Sequence, residues 1–122
     1  MPSVVVIGAS ADRRKFGNKA VRAFLKRGYR VIPVNPHETE IEGLKAYASV
    51  LDVPGEVDVA SLYVPASIGR AVVEDLARKG IREVWLNPGA SSPRLIEEVR
   101  ALGLTPIVTC SIRRIGEVPE AY

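Results

Sequence analysis

The chain has 122 residues, of which 47% are apolar, and its 17 Lys and Arg against 14 Asp and Glu give a net charge of +3. This length and composition predict one globular domain over residues 1–122 and exclude collagen-like, disordered and disulfide-rich classes. The charge is too small for a general nucleic-acid-binding protein, so it favours a small anionic ligand.

The single cysteine, Cys110, has no partner for an internal disulfide. Residues 1–15 lack a basic segment followed by a long apolar stretch. The longest apolar runs, such as residues 4–7, are far shorter than the roughly 20 residues that cross a bilayer. We therefore expect a cytoplasmic, unprocessed chain without a membrane anchor.

Short runs rich in β-branched residues alternate with longer segments of helical period, which predicts a parallel sheet covered by helices. The first strand is residues 4–7 and ends at Gly8. A loop follows to about Lys15, and the next helix ends at a left-handed cap on Gly28. The predicted buried face of this helix consists of Ala20, Val21, Phe24 and Leu25.

The middle of the chain continues the same alternation. Residues 29–34 form the second predicted strand, which ends in an Asn-Pro pair. Residues 37–56 are a polar connection with one short helix around residues 49–53, and this segment can fold over a ligand. Residues 57–64 form the third strand.

Two further helices follow in the second half. After Pro65, a helix beginning at Ser67 runs to Gly80, and residues 84–86 form the fourth strand. The predicted buried residues of this helix are Ile68, Val72, Val73 and Leu76.

The last long helix has clear signals at both ends. Ser92 caps it with Pro93 at its first position, and Gly103 ends it. Residues 105–109 form the fifth strand, and residues 111–122 show no clear pattern. The buried face of this helix consists of Leu95, Ile96, Val99 and Leu102.

These elements predict an α/β fold: a single Rossmann-like, doubly wound parallel sheet of five strands with helices on both faces. Right-handed crossovers favour the strand order 3-2-1-4-5. Ligands of such sheets bind at the carboxyl ends of the strands. The segments that follow the strands are Gly8-Ala9-Ser10, Val34-Asn35-Pro36, Val64-Pro65-Ala66, Asn87-Pro88-Gly89 and Thr109-Cys110-Ser111.

The loop after the first strand suits a phosphate. The Gly-Ala-Ser segment that starts at Gly8 precedes a helix and offers backbone N–H groups. Arg13, Arg14 and Lys15 add positive charge beside the same helix N-terminus. Adjacent loop cations are often only solvated, but their place at the predicted ligand edge favours a ligand with several phosphates.

Two common nucleotide motifs are absent. Ser10 and Arg13 stand where a G-x-G-x-x-G motif needs glycines, and Asn35 replaces the carboxylate that holds the ribose of NAD. Asp12 stands where a P-loop ending at Gly17 would need its first glycine. These departures disfavour an NAD(P) site and a P-loop.

Several stretches together carry a resemblance to a known family. They are Gly8-Ala9-Ser10, Lys15-Phe16-Gly17, residues 28–36, 40–43 and 47–54, Val57-Asp58, Val64-Pro65, Val84-Trp85-Leu86 and Cys110. The chain resembles the small CoA-binding proteins related to the N-terminal domain of the succinyl-CoA synthetase alpha subunit. The similarity spans nearly the whole chain, and its middle stretch is the most specific.

The resemblance implies coenzyme A as the ligand, lying across the strand ends. Its phosphates would lie near the loop cations, its adenine and ribose near the ends of the second and third strands, and its pantetheine arm toward the last two strands. The implied binding residues are Gly8, Ala9, Ser10, Arg13, Lys15, Phe16, Gly17, Val34, Asn35, Pro36, Val64, Pro65, Asn87, Pro88, Gly89 and Cys110.

The chain departs from the family pattern at the thiol end of the ligand. Many relatives have glutamine in place of Asn87, and an aliphatic stretch with a histidine after the cysteine, where this chain has Ser111-Ile112-Arg113-Arg114. Cys110 is either a reactive thiol or a packed side chain, and we favour packing.

The other chemically distinctive residues have simple interpretations. His37, the single histidine, is interpreted as solvated, and without a second ligand at suitable spacing no metal site is predicted. No G-x-S-x-G motif supports a serine hydrolase. Trp85 is assigned to the core.

We therefore expect a non-catalytic protein that binds CoA or an acyl-CoA. The alternatives are a CoA-carrying subunit of an acyl-CoA synthetase, a thiol redox protein using Cys110 and, less favoured, an NAD(P)-binding regulator. The phosphorylated histidine and nucleotide-grasp domains of such synthetases have no room in this chain, so a synthetase role requires a partner. A homodimer or another protein partner stays open, and neither nucleic acid nor a membrane is expected as a partner.

Overall fold

The computed structural model describes residues 2–122. Its central sheet contains β1 (Ser3–Ile7), β2 (Arg30–Val34), β5 (Val59–Leu62), β6 (Glu83–Leu86) and β7 (Thr105–Val108). Its helices are α1 (Phe16–Lys26), α2 (Ala66–Lys79), α3 (Pro93–Ala101) and α4 (Ser111–Arg114). A hairpin joins β3 (Glu40–Ile41) to β4 (Leu44–Lys45), and short 3₁₀ turns cover Val50–Asp52 and Pro119–Ala121. Within the described residues, no helix is long and apolar enough to cross a membrane.

The five strands are parallel and lie in the order β2-β1-β5-β6-β7. Helices α1 and α4 pack together on one face, and α2 and α3 on the other. Alternate residues of β1 serve the two layers: Val4 and Val6 pack in the cluster that contains Phe24 of α1, and Val5 and Ile7 in the cluster under α2 and α3. The predicted doubly wound α/β fold is confirmed.

The predicted strand order is wrong. Numbered within the central sheet alone, the order is 2-1-3-4-5 rather than 3-2-1-4-5, so β2 is an edge strand and β5 pairs with β1. Pro33 supplies a physical reason. Its carbonyl accepts the Tyr47 N–H from outside the sheet at 3.0 Å, so its nitrogen also faces outward. Proline has no N–H to donate to a further strand there.

The other edge of the sheet is β7, and it is less covered than the inner strands. The N–H of Thr105 donates inward to the Arg82 carbonyl at 2.8 Å, so the nitrogen of the next residue, Pro106, faces the open edge. The side chain of Val108 is 58% exposed. Inner strands β1 and β5 are buried throughout.

Most predicted helix ends are confirmed. The Oγ of Ser92 accepts the Leu95 N–H at 3.1 Å with Pro93 in the first turn of α3, and Gly28 takes the left-handed conformation after α1. The predicted start of α2 at Ser67 is wrong by one residue. The helix begins at Ala66 without a side-chain cap, and Ser67 lies inside it.

Three predicted core residues are exposed. Leu25 and Leu102 lie at the C-terminal ends of α1 and α3 and are 39% and 40% exposed. Ile68 lies in the first turn of α2 and is 53% exposed. Trp85 is buried, as predicted. The sequence pattern did not predict the β3–β4 hairpin, whose turn residues Glu42 and Gly43 both have positive φ.

Candidate functional site

The direction of strand addition reverses between β1 and β5, and the residues that follow these strands lie side by side. The N–H of Tyr63 donates to the Ile7 carbonyl at 2.8 Å, and the N–H of Gly8 donates to the Val34 carbonyl at 3.1 Å. Such a reversal is where open α/β sheets bind ligands. Three cavities lie along the strand ends here, and together they form a groove.

The first cavity has a volume of about 430 Å³ and lies between the end of β2 and α2. Its lining residues are Ile7, Gly8, Val34, Asn35, Pro36, His37, Ala48, Ser49, Val50, Val64, Ile68, Val72 and Asp75. Most of these side chains are apolar, and a few polar groups join them, which is typical of a small-molecule site.

The second cavity, about 280 Å³, continues the groove. It shares Gly8 and Val64 with the first cavity and is also lined by Lys15, Phe16, Gly17, Tyr63, Pro65, Pro88, Gly89 and Ala90. The third cavity, about 100 Å³, is lined by Phe16, Tyr63, Asn87, Pro88 and Cys110. Because neighbouring cavities share lining residues, they form one path from the end of β2 to the end of β7.

All the predicted binding residues except Ala9, Ser10 and Arg13 line this path. Ala9 is fully buried, and its carbonyl accepts the Asn35 side-chain amide at 2.8 Å. The Oγ of Ser10 accepts the Asp12 N–H at 3.0 Å. The side chains of these two residues therefore shape the loop rather than line the groove.

Two glycines set how closely α1 approaches the end of β1. A Cβ at Gly17 would lie 2.2 Å from the Gly8 carbonyl oxygen. A Cβ at Gly8, whose φ is +86°, would lie 3.0 Å from the Tyr63 carbonyl group. Only glycine fits both places, so the sequence brings the first turn of α1 against the strand ends.

Two of the three predicted loop cations are paired within the protein. The Nε of Arg13 lies 3.5 Å from the Glu42 carboxylate. The guanidinium of Arg14 donates to both oxygens of Asp12, at 3.1 and 3.0 Å. The hydrogen bonds from Arg14 lower the pKa of Asp12 to about 2. Both pairs are on the exposed side of the loop.

Lys15 is the loop cation that lines the groove. It precedes the first turn of α1, which has no side-chain cap, so a ligand anion would also meet the positive end of that helix. Lys19, one turn later, lies with its Nζ 5.3 Å from the ring centre of Phe16, which lines both the second and third cavities.

Asn18, which is fully buried, also holds the loop after β1 in place. Its Nδ2 donates to the Ser10 carbonyl at 2.9 Å and to the Glu42 carboxylate at 3.1 Å, and its Oδ1 accepts from the Nε of Arg22 at 2.7 Å. Glu42 has a φ of 50°, which is unusual for a residue other than glycine. Asn18 and Glu42 thus tie the loop to the β3–β4 turn.

A buried polar cluster closes the far end of the groove. The Nδ2 of Asn87 donates to the Ser61 hydroxyl and the Leu62 carbonyl, at 3.0 and 2.9 Å. Its Oδ1 accepts the Ser111 N–H at 2.7 Å, and the Ser61 and Ser111 hydroxyls are 2.8 Å apart. The Tyr63 hydroxyl is buried beside these serines without a hydrogen bond, and burial raises the pKa of this phenol.

Cys110 lies between the hydrophobic core and the groove. Its side chain is partly buried and packs against the hydrophobic cluster on the α1 side. It also lines the third cavity. His37 is exposed, as the solvated interpretation requires, yet it lines the first cavity. Residues 2–122 contain no group of three or more side chains suited to hold a metal ion.

Sequence reasoning missed several groove residues. Tyr63, which lines the second and third cavities, lies inside a predicted strand. Ile68, Val72 and Asp75 lie on one face of α2 at spacings of four and three residues, and this face lines the first cavity. The sequence analysis recognised the helical spacing of Ile68 and Val72 but assigned both side chains to the core.

Comparison with known proteins gives a consistent result. A family model described as a CoA binding domain matches residues 2–114. The alpha subunit of an ADP-forming acetate–CoA ligase II from Pyrococcus furiosus is 39% identical over 82 residues, which cover 66% of this chain and 18% of the subunit. The chain spans between 11% and 19% of the length of the first ligases it matches.

Solved structures share the fold. A conserved hypothetical protein from Pyrococcus furiosus superposes with a TM-score of 0.86 at 32% identity, covering 93% of this chain and 99% of the other. An acetyl-coenzyme A synthetase from Ca. Korarchaeum cryptofilum superposes with a TM-score of 0.76 at 30% identity, covering 86% of this chain and 25% of the synthetase chain.

Proposed function

Since the chain belongs to the CoA-binding domain family and is homologous to the alpha-subunit region of ADP-forming acetyl-CoA synthetases, we propose that it binds coenzyme A or an acyl-CoA. The ligand lies along the groove. Its adenine and ribose occupy the first cavity, its phosphates the second, and its pantetheine arm runs toward the third.

The observation that carries this proposal is the order of the three cavities. An apolar cavity suited to a nucleobase comes first, a cavity with Lys15 and the uncapped start of α1 comes next, and a narrow cavity beside Cys110 comes last. CoA has the same order of groups: a flat base, a charged diphosphate and a thin arm that ends in a thiol. An NAD-like ligand would instead place a second nucleoside where the third cavity holds only about 100 Å³.

The charge distribution supports the phosphate position. With Arg13 paired to Glu42 and Arg14 paired to Asp12, Lys15 is the loop cation that lines the second cavity. Charge-assisted hydrogen bonds to phosphate are among the strong interactions available to a binding site. We therefore assign the main phosphate contact to Lys15 and only a supporting role to Arg13.

We propose that the chain by itself is a binding module and not a catalyst. The ligases it matches are at least five times longer than the matched part, and their further regions are available for the chemistry. A second candidate, the CoA-carrying part of such a ligase, is favoured by 39% identity to a separate alpha subunit. Co-purification of a partner chain and acyl-CoA synthesis by the pair, but not by this chain alone, would support the second candidate.

Thermal unfolding with and without ligand tests the binding function. A ligand that binds only the folded state adds about 2.7 kcal/mol of stability at 100 times its dissociation constant. We expect CoA to raise the midpoint and NADH to leave it unchanged. A rise with NADH and none with CoA would contradict the proposal and revive the dinucleotide interpretation.

A matched pair of variants tests the place of binding. Ile68 and Leu25 are both exposed apolar side chains on helices, but only Ile68 lines the groove. Ile68→Glu removes apolar contact and adds negative charge near the nucleotide, so we expect at least tenfold weaker CoA binding. Leu25→Glu should leave binding unchanged. Equal affinities for the two variants would place the ligand elsewhere.

A further inference from the structure

Arg22, on α1, carries a positive charge that no Asp or Glu side chain pairs with in residues 2–122. Its hydrogen bonds go to amide and main-chain oxygens instead. The Nε donates to the Oδ1 of Asn18 at 2.7 Å, and the Nη2 donates to the main-chain oxygens of Arg13 and Tyr122 at 2.8 and 3.3 Å. The guanidinium also lies 5.6 Å from the ring centre of Tyr122. Arg22 therefore joins the loop after β1 to the segment that follows α4.

The part of this loop from Ser10 to Arg13 depends on side chains of α1 for its position. The Ser10 carbonyl accepts from Asn18, and the Arg13 carbonyl accepts from Arg22. Apart from the exposed ion pair between Arg13 and Glu42, the remaining hydrogen bonds of these residues stay within the loop. The two α1 side chains also bond to each other, so they hold the loop as one unit.

The tail segment, residues 116–122, holds Arg22 in turn. The Tyr122 hydroxyl donates to the Oε1 of Glu117 at 2.7 Å, and the Nε of Arg27 donates to the Oε2 of the same carboxylate at 2.6 Å. Tyr122 and Glu117 are both half-buried. An unrestrained arginine side chain samples many rotamers. The contact with the fixed Tyr122 limits this sampling and keeps the guanidinium directed at the loop.

We propose that Arg22 is a positioning residue for ligand binding: it holds the loop after β1 in the shape that presents Lys15 to the ligand, and the tail segment keeps its guanidinium in place. Lys15 lies two residues beyond the carbonyl that Arg22 binds, and its N–H donates to the Asp12 carbonyl at 3.1 Å. Arg22 itself lines none of the three cavities of the groove. A loop that is ordered before the ligand arrives loses less conformational entropy on binding. The inference rests on the proposed function.

Substitution by lysine separates positioning from a general effect of charge. Lysine keeps the charge, but its single ammonium group lacks the planar fork that bridges the Asn18 amide and the Arg13 carbonyl. We therefore expect Arg22→Lys and Arg22→Ala both to weaken CoA binding about fivefold to tenfold in calorimetric titrations. Lys26→Ala is the matched control, because Lys26 is a cation of the same helix in an exposed pair with Glu117, which contributes little. Its affinity should equal that of the wild type.

Two further measurements separate positioning from a loss of overall stability. If Arg22 acts through Lys15, the double variant Arg22→Ala/Lys15→Ala should bind CoA more tightly than the product of the two single effects requires. Hydrogen exchange of the ligand-free Arg22→Lys variant should become faster in residues 9–15 and stay unchanged in β1 and β5.

Tyr122→Ala keeps the test valid if the Arg22 variants fail to fold, because it leaves the bonds of Arg22 to Asn18 and Arg13 in place. Since the tail segment acts only through Arg22, we expect a smaller loss of CoA affinity, about threefold, with faster exchange in the same loop.

The outcomes distinguish this inference from the function on which it rests. Wild-type affinity in Arg22→Lys, independent effects of Arg22 and Lys15, or unchanged loop exchange would overturn the positioning role while CoA binding stands. Wild-type affinity in Tyr122→Ala would overturn the role of the tail segment. Failure of the wild type to bind CoA would overturn the proposed function, and the inference with it.

Discussion

The loop after β1 and the turns that precede β2, β6 and β7 all depend on glycine, but for different reasons. Gly28, Gly80 and Gly103 have positive φ, and a Cβ added to any of them would meet nothing within 4 Å. At Gly17 an added Cβ would collide with the backbone of Gly8. The three turn glycines are needed for the backbone conformation of the turn itself. Gly17 is needed because it lets a helix approach the end of a strand closely.

This difference separates two kinds of constraint on the sequence. A turn glycine is replaceable by a residue that tolerates left-handed backbone, such as asparagine. A glycine at a close approach has no substitute, because any side chain displaces α1 from β1. Since that approach also forms the wall of the groove, the same position supports both stability and the binding site.

The largest effect is expected for Gly17→Ala. The added methyl group overlaps the Gly8 carbonyl, so the helix must move, and we expect a loss of about 3 kcal/mol in the free energy of unfolding despite the better helix propensity of alanine. Gly103→Ala should cost only about 1 kcal/mol, from left-handed strain. Urea unfolding of both variants checks the contrast, and equal losses would contradict the distinction.

Asn87→Leu extends the comparison to the far end of the groove. The substitution leaves the Ser61 hydroxyl, the Leu62 carbonyl and the Ser111 N–H without the partner they have in the buried cluster. We expect a loss of about 2 to 3 kcal/mol. Asn35→Ala, at the partly exposed near end, should lose about 1 kcal/mol in the same unfolding experiment. A smaller loss for Asn87→Leu than for Asn35→Ala would show that the hydrogen bonds of the Asn87 amide do not stabilise the fold.

Lys15→Ala addresses the charge in the loop rather than its packing. We expect CoA binding to weaken by about 1 to 2 kcal/mol, the scale of a charge-assisted phosphate contact. Arg13→Ala should cost about 0.5 kcal/mol, because Arg13 is exposed and already paired with Glu42. Isothermal titration of both variants decides the order, and a larger effect at Arg13 would mean that it leaves Glu42 to reach the ligand.

The smallest effect concerns Asp58, at the opposite end of the strands from the groove. The backbone N–H of Ser3 and then its hydroxyl donate to this carboxylate, at 2.7 and 3.1 Å, and these bonds lower its pKa in the folded protein. A lowered folded pKa adds stability above about pH 4, and that stability disappears as the pH falls through the folded value.

Asp58→Asn should therefore lower the melting temperature slightly at pH 7, and the difference from wild type should shrink as the pH falls toward 3. Melting curves across this range provide the measurement. A difference that stays constant with pH would show that the charge of Asp58 contributes nothing.

The elements of the fold followed from local patterns, whereas the strand order did not. Periodicity and the glycine and proline signals located the five strands of the central sheet and helices α1, α2 and α3, because these depend on near neighbours, but they did not predict α4. The side of β1 on which the third strand of the sheet pairs depends on contacts between residues that are far apart in the sequence. Pro33 did carry a signal, since a proline within a parallel strand favours an edge position.

The candidate site divides in the same way. Residues after the strand ends were predictable from the fold class, and most of them line the groove. Asn18 and Tyr63 were not predicted, because their roles depend on how α1 and β5 pack around the loop. Ile68 was assigned to the core because its helical spacing is the same whether the face meets other side chains or a cavity.

The two edge strands have a consequence for the behaviour of the protein at high concentration. Pro33 and Pro106 both point their nitrogen toward the outer side of an edge strand. Each edge therefore lacks one of the N–H donors that a strand from another molecule would need for continuous pairing, and at the β7 edge this missing donor lies two residues before the exposed, apolar Val108. The prolines thus protect a short, largely apolar parallel sheet against edge-to-edge aggregation.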